Sequence, residues 1–213
     1  MLVRAAGNDS LKDILSRMDQ SAASFETMTA QMDRIQHTAI INEDERDSAH
    51  VRLKKTPGGL RGFVEFAPPN RRIVGFSNRT LQVFTPKTNT VEIYDLGKHG
   101  SELDQFLLLG FGTSGKELDR SYKIRVMGTD TVAGKPATRL ELTPKSKEAQ
   151  EYLKKVELWI AQGGSHPIQE KIYKNADDYI LVSYSDVKLN SGLTDQDLEL
   201  RLPAGVKKVY PQK

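Results

Sequence analysis

The segment from Gly110 to Glu117 carries the strongest local match to a motif that performs chemistry. Its sequence, GFGTSGKE, satisfies both G-x-G-x-x-G and the first part of a phosphate-binding loop, G-x-x-x-x-G-K. Either motif would place backbone N–H groups around a phosphate at the start of a helix. A phosphate-binding loop needs Ser or Thr after the lysine to hold Mg²⁺, whereas Glu117 stands there and repels phosphate. Because hairpins rather than strand–helix–strand units follow, the sequence favours a flexible glycine hinge over a nucleotide site.

Metal-dependent and nucleophilic chemistry find as little support in the sequence. The four histidines are scattered without the spacing of metal ligands, and the absence of cysteine excludes disulfides and thiolate metal sites. The acidic run from Glu43 to Asp47 lacks the glycine and the spacing of a calcium loop, so we predict a solvated turn there. No serine lies in a G-x-S-x-G elbow. We therefore predict a protein that is not an enzyme, with no catalytic residues, no metal and no cofactor.

Length and composition narrow the class of protein further. At 213 residues the default is a single domain, residues 1–213, in which residues 1–8 are expected to be disordered or foreign to the native chain. The net charge is only +3, so no strong positive field argues for nucleic acid. No run of 18 apolar residues is present. The first seven residues lack the apolar segment of a signal peptide, so the chain either is cytoplasmic or begins after a removed signal.

The elements that must position any site are mostly strands. From Ala49 to Tyr94, period-2 alternation and closely spaced turn residues predict five short strands in an antiparallel meander. Helices are predicted over Ser10–Ala23, where Ser10 and Asp13 form a capping signal, over the very apolar Ser101–Gly110, and over Gly115–Tyr122. A helical turn is expected within 144–152. More strands follow, and the last is predicted over Leu198–Val206.

This pattern predicts a mainly β (α+β) fold. We expect a single curved antiparallel sheet, or incomplete β-barrel, of about ten or eleven strands, with short helices as a lid over a hydrophobic cavity. The apolar residues could equally be ordinary core, which is the usual position of such side chains. The large sheet and the few helices available to cover it favour the cavity.

The meander also resembles the periplasmic outer-membrane lipoprotein carrier and sorting family (LolA/LolB-like). The resemblance lies in Glu65-Phe66-Ala67-Pro68, in the hairpin Ser77-Asn78-Arg79-Thr80-Leu81-Gln82-Val83-Phe84-Thr85-Pro86, and in the ending Leu200-Arg-Leu-Pro-Ala-Gly-Val206. It extends from Leu11 to Val206 in the order of its motifs. Departures include Val64 at an aromatic position of the family and Gln82 where tryptophan is usual.

The resemblance implies a periplasmic carrier, with a signal peptide already removed, that binds lipoprotein acyl chains or lipids in its cavity for transfer towards the outer membrane. The implied partners are the lipid, an inner-membrane transporter and an outer-membrane acceptor, with no nucleic acid and a monomeric protein. The alternative is a lipid- or lipoprotein-sensing or binding module on the same fold that does not shuttle its ligand.

Candidate site residues follow from the strand pattern together with the resemblance. The expected cavity wall consists of Val64, Phe66, Leu81, Val83, Ile93 and Trp159. The expected lid consists of Leu103, Phe106, Leu107 and Phe111, and Gly110, Gly112 and Gly115 would let it move. The carrier branch of the family has an arginine just before a proline that bonds to the lid. Lys55, followed by Thr56-Pro57, is the nearest equivalent here and is a candidate lid latch, although lysine lacks the planar fork of arginine.

Overall fold

A computed structural model describes residues 9–57, 59–77, 79–96, 109–174 and 177–211 of the chain. Its helices are α1 (Leu11–Ala23), α2 (Gly115–Ser121) and α3 (Lys147–Tyr152). The strands are β1 (Thr27–Thr38), β2 (Glu43–Thr56), β3 (Gly59–Phe66), β4 (Ile73–Ser77), β5 (Thr80–Thr85), β6 (Thr90–Asp95), β7 (Tyr122–Val132), β8 (Lys135–Pro144), β9 (Lys155–Ala161), β10 (Pro167–Tyr173), β11 (Tyr179–Leu189) and β12 (Lys207–Val209). The predicted helix over Ser101–Gly110 falls largely on residues outside the described ranges, as do residues 1–8.

The twelve strands belong to one sheet with the order β12-β6-β5-β4-β3-β2-β1-β11-β10-β9-β8-β7. The predicted mainly β fold with one large sheet and short helices is therefore confirmed. Among the described residues the end strands β12 and β7 do not pair with each other, so the sheet is open, as in an incomplete barrel. The sheet is mixed rather than wholly antiparallel, because β12 runs parallel to β6.

By its contacts the chain divides into two compact units. The first unit comprises Met1–Ser24, Ile35–Glu45 and Gly110–Ser183, and the second comprises Phe25–Arg34, Arg46–Leu109 and Tyr184–Lys213. The single-domain organisation expected from the sequence stays a prediction.

The first unit is built on a helix with clear local signals. Ser10 caps α1, its Oγ accepting a hydrogen bond from the Asp13 N–H at 3.2 Å, as the capping signal predicts. Ile14, Met18 and Ala22 then form the buried stripe of the helix. The register of β8, β9 and β10 gives the sheet of this unit an apolar face, whose buried side chains are Leu140, Leu142, Val156, Leu158, Ile160 and Ile172.

The second unit contains the predicted meander, and its register defines two faces. One side of β3, β4 and β5 carries Val64, Val74 and Val83, and we call it the valine face. The opposite side carries Phe63, Gly75 and Phe84, which are all buried, and we call it the covered face. Part of the chain between β11 and β12 lies on the covered face.

The segment on the covered face includes the residues for which the sequence predicts the last strand. The Leu198–Val206 segment does not form a strand. It contains the end of a 3₁₀ turn, Gln196–Leu198, and then continues irregularly to β12. On the covered face, the Arg52 Nη1 donates to the Asp197 carbonyl at 2.9 Å, and Leu200 lies against Gly75. Leu200, which alternates with Leu198 and Leu202 like a strand residue, lies against a sheet face instead.

The predicted solvated turn from Glu43 to Asp47 is also wrong. A 3₁₀ turn over Ala39–Ile41 reverses the chain, Asn42 takes a left-handed conformation with φ 49°, and β2 begins at Glu43. Asp47 is therefore a strand residue, and its carboxylate is buried against two arginines.

Candidate functional site

A row of three valines crosses the middle of the valine face. Val64 pairs with Val74 on the next strand, and Val74 pairs with Val83 on the strand after that, so the three side chains stand side by side. All three are half-buried, whereas their counterparts on the covered face are buried. Within the described residues this row of valines is thus only partly enclosed, whereas Phe66 and Phe76 on the same face are buried.

A second row beside the valines adds aromatic surface. Phe76 pairs with Leu81, and Leu81 pairs with Tyr94. Phe76 is buried, while Leu81 and Tyr94 are half-buried like the valines. The Tyr94 hydroxyl donates to the Glu92 Oε2 at 3.1 Å, and burial, followed by this hydrogen bond and the charge of Glu92, raises the pKa of Tyr94. The apolar surface therefore ends at a polar pair on β6.

The other border of the valine face is an ion cluster next to Phe66, built around the buried carboxylate of Asp47. The Arg72 guanidinium lies over the Phe66 ring, with its Cζ 3.6 Å from the ring centroid. Its Nη2 donates to the Asp47 Oδ2 at 2.9 Å, and the Arg34 Nη1 donates to the same oxygen at 2.7 Å. Burial alone would raise the pKa of Asp47, but the hydrogen bonds and charges of Arg72 and Arg34 lower it below its usual 3.8. The carboxylate is thus ionised at neutral pH.

Four of the predicted wall residues share the valine face, and they are Val64, Phe66, Leu81 and Val83. Ile93 pairs with Gln82 and lies on the covered face, one residue out of register with the other four. Sequence reasoning did not single out Val74, Phe76, Tyr94 or Arg72. The alternation of Val74 and Phe76 within β4 could have indicated the first two.

Trp159 belongs to the first unit and has a polar environment. It pairs with Arg139 on β8 and lies on the side of β9 opposite Leu158. Its Nε1 donates to the Asp130 Oδ2 at 2.7 Å, and the side chain is buried. In this unit Trp159 is therefore held by a carboxylate and flanked by a guanidinium, and its role in a cavity wall stays a prediction.

Of the predicted lid residues, Leu103, Phe106 and Leu107 lie outside the described residues. Phe111 is described, and it is buried with its ring stacked on His166 at a centroid distance of 5.3 Å. Lys55, the candidate latch, has an exposed side chain on β2. The lid and its latch stay predictions.

The glycine-rich motif serves packing and capping. A Cβ on Gly115 would lie 2.3 Å from the Leu15 carbonyl oxygen, so this glycine allows α2 to approach α1 closely. The Glu117 carboxylate accepts hydrogen bonds from the N–H and the Oγ of Ser114, at 3.0 and 2.9 Å, in a complete capping box. The Ser114 N–H at the start of α2 is therefore already bonded to a carboxylate. Hinge motion at Gly110 and Gly112 stays a prediction.

Comparison with known proteins identifies the class of fold. An uncharacterized conserved protein from Thermus thermophilus is similar with a TM-score of 0.56 and 14% identity, and the match covers 95% of this chain and 99% of that protein. MucB is similar with a TM-score of 0.54 and 15% identity over 92% of this chain, which spans only 64% of the MucB chain. These two likenesses show a shared fold.

The matched structures also include proteins of the predicted family. One is a LolA superfamily protein from Nitrosomonas europaea, at a TM-score of 0.43 and 15% identity, covering 90% of this chain and 98% of that protein. No protein-family model matches this chain, and no curated protein matches it.

Membrane-spanning helices and metal clusters are both absent from the described part of the chain. None of its helices has the length and apolar character needed to cross a membrane. Within the same residues, no group of three or more His, Cys, Asp or Glu side chains is placed to hold a metal ion.

Proposed function

We propose that this protein is a non-catalytic carrier that binds acyl chains of lipoproteins, or of other lipids, on the valine face of its second unit. One observation carries the proposal. Both faces of the same strands carry apolar side chains, and among the described residues the segment after β11 lies on the covered face, where Leu200 meets Gly75. The valine row remains half-buried, which is the arrangement that a surface for an apolar ligand needs.

The energetics of acyl-chain binding suit such a surface. Burying an acyl chain stabilises the complex by about 0.8 kcal/mol per CH₂ group, so a long chain supplies ample driving force for leaving a membrane. Branched side chains on a sheet form a rigid binding surface, because Val has few rotamers and loses little conformational entropy when a ligand binds. The residues predicted as a lid would then close over the chain, exchanging contacts with the sheet for contacts with lipid.

The cellular role that we propose is transfer through the periplasm towards the outer membrane. A transporter at the inner membrane would load the carrier, and an acceptor at the outer membrane would unload it. The resemblance in the meander and the shared fold support this role. A sensing or binding module on the same fold is distinguished by its failure to deliver the ligand.

Native mass spectrometry of protein purified from a bacterial periplasm, followed by lipid extraction, tests binding directly. We expect a bound acylated species, and we expect added lipid to displace an environment-sensitive fluorescent fatty acid. The double variant Val74→Thr/Val83→Thr keeps the side-chain shapes but places hydroxyl groups in the valine row. It should weaken binding of the fluorescent fatty acid on the order of tenfold, since about 1.4 kcal/mol is a factor of ten.

The matched control is Val132→Thr, a half-buried valine at the end of β7 in the first unit. It should leave the affinity for the fluorescent fatty acid unchanged. Protein that is free of lipid and does not bind the fatty acid would overturn the carrier proposal. Binding without any transfer of lipid between donor and acceptor vesicles would favour the sensing module.

A further inference from the structure

We infer that the ligand of the valine face is an amphiphile with an anionic headgroup, a carboxylate or a phosphate, which Arg72 binds. This inference rests on the proposed function and narrows its ligand class. A neutral acylated terminus would make no use of the cation that the structure places beside the valine row.

The first step is the position of the guanidinium. Phe66 follows Val64 by two residues on β3 and shares its face, and the Arg72 guanidinium lies on the Phe66 ring. Two residues along a strand span about 7 Å, so the ring that carries the cation is that far from the valine row along β3. An acyl chain on the valines would bring its polar end to Arg72 without leaving the sheet.

The second step is the charge state of the two groups that meet beside Phe66. The Asp47 carboxylate binds the Arg72 guanidinium and stays ionised, because its pKa is lowered despite its burial. Arg72 itself is protonated throughout the neutral range. The binding of an anion by Arg72 therefore requires no protonation event.

The third step is accessibility. The Asp47 side chain is 2% exposed, whereas that of Arg72 is 24% exposed, so a ligand meets the cation and not the carboxylate. Arg72 donates to both Asp47 oxygens and to the Asn70 carbonyl through Nη1 and Nη2. A guanidinium has five N–H donors, so its Nε–H and one Nη2–H have no acceptor among the described residues. These two donors can bind two oxygens of a carboxylate or a phosphate.

The fourth step is the direction of the ligand. At the β6 side of the valine row, Glu92 pairs with Val83 and places a carboxylate on the same face. That carboxylate would repel an anionic headgroup, while Arg72 attracts one. The headgroup therefore lies at the Phe66 end, and the acyl chain extends over Val64 and Val74 towards Leu81.

Displacement of a bound fluorescent fatty acid by two matched pairs of amphiphiles tests this inference. Oleate is compared with oleyl alcohol, and oleoyl lysophosphatidic acid is compared with monooleoylglycerol. We expect the full chain to prefer the anionic member of at least one pair by on the order of tenfold, and the preferred pair identifies carboxylate or phosphate. Arg72→Met keeps a long apolar stem over Phe66, and it should abolish the preference while leaving affinity for the neutral members unchanged.

Arg71→Met is the matched control, because it removes the adjacent cation, whose side chain is 56% exposed and pairs with Glu65. It should leave the preference intact. Unchanged binding of the neutral members by Arg72→Met shows that this variant is folded, and Arg72→Lys should keep part of the preference. Equal affinity of the unsubstituted protein for both members of each pair, or an Arg72→Met variant that keeps the preference, would overturn the inference and leave lipid binding standing. Failure of all four amphiphiles to bind would overturn the proposed function itself.

Discussion

The ring of Phe76 occupies the space that a side chain on Gly62 would fill. The two residues are partners across β3 and β4, and a Cβ on Gly62 would lie 1.9 Å from the Phe76 Cζ. The absence of a side chain on Gly62 thus leaves room for the aromatic ring on this side of β3.

We expect Gly62→Ala to destabilise the protein by about 1–3 kcal/mol, because the added methyl group must push the Phe76 ring out of its position. Urea unfolding of the variant measures this loss. The control is Gly75→Ala on the adjacent strand, where a Cβ would lie 3.4 Å from the Leu200 Cβ. A Gly62→Ala variant as stable as the Gly75→Ala variant would contradict this packing of ring against glycine.

In the first unit, we expect Gly115→Ala to separate α2 from α1. The new methyl group would meet backbone atoms of Leu15, which cannot rotate away as the end of a side chain can. A loss of about 2 kcal/mol or more in the free energy of unfolding should result. Lys116→Ala, which keeps the hydrogen bond from its backbone N–H to the Asp19 carboxylate, is the control and should cost much less. Equal unfolding midpoints for the two variants would show that the close approach is unimportant.

Glu170 predicts an unusual dependence of stability on pH. Among the described residues its Oε1 has no hydrogen-bond partner. Its carboxyl group is fully buried in the first unit on the side of Leu158 and Val182, and burial raises its pKa from 4.5 to about 8. Between these two values the folded protein keeps the proton while the unfolded chain releases it. The free energy of unfolding therefore falls as the pH rises from 4.5 to 8.

Glu170→Gln removes this titration and keeps the shape of the side chain. We expect the variant to melt close to the unsubstituted protein at pH 5 and roughly 5–10 °C above it at pH 8. Thermal melts at both pH values measure the difference. Glu151→Gln, at an exposed position of α3, should change neither melt. A constant difference between Glu170→Gln and the unsubstituted protein at the two pH values would exclude a shifted titration.

Asp47 predicts the opposite dependence in the acid range. Its pKa is lower in the folded protein than the ordinary 3.8, so its ion pairs stabilise the fold above that value and are lost as the pH falls below it. We expect Asp47→Asn to lose on the order of 3 kcal/mol at pH 7, because two arginines lose a buried partner. Urea midpoints should show this deficit shrinking at pH 3.

Asp195→Asn provides the comparison for Asp47→Asn. Asp195 also meets two cations, Lys54 and Arg61, but its side chain is 68% exposed. Its loss should therefore lower the urea midpoint at pH 7 much less than the loss of Asp47 does. Similar losses of stability in the two variants would mean that the burial of Asp47 does not strengthen its ion pairs.

Elements with local signals were predictable from the sequence. The start of α1 follows from Ser10 and Asp13, which need no information beyond four residues, and the capping box of α2 is equally local. The meander strands follow from alternation and turn residues. Alternation does not determine which set of alternate residues faces the cavity. Ile93 is predicted to be a wall residue, but it lies on the covered face because the predicted register of β6 is wrong by one residue.

The site could be predicted only in part, because its polar components are assembled from distant residues. Asp47 belongs to an acidic run that looks like a solvated turn, and its partners Arg34 and Arg72 stand 13 and 25 positions away. Leu200 alternates with its neighbours like a strand residue, but its neighbour Gly75 is more than one hundred positions earlier in the chain. Local pattern carries no information about such contacts.

The segment that crosses the covered face has a consequence for synthesis on the ribosome. Residues 194–209 emerge after every strand of the second unit that they touch, including β6, to which β12 adds in parallel. Until then Gly75 lacks its contact with Leu200, and β6 lacks the strand that pairs with its outer edge. A nascent chain that pauses before residue 194 therefore presents an incomplete sheet face and an unpaired strand edge to chaperones.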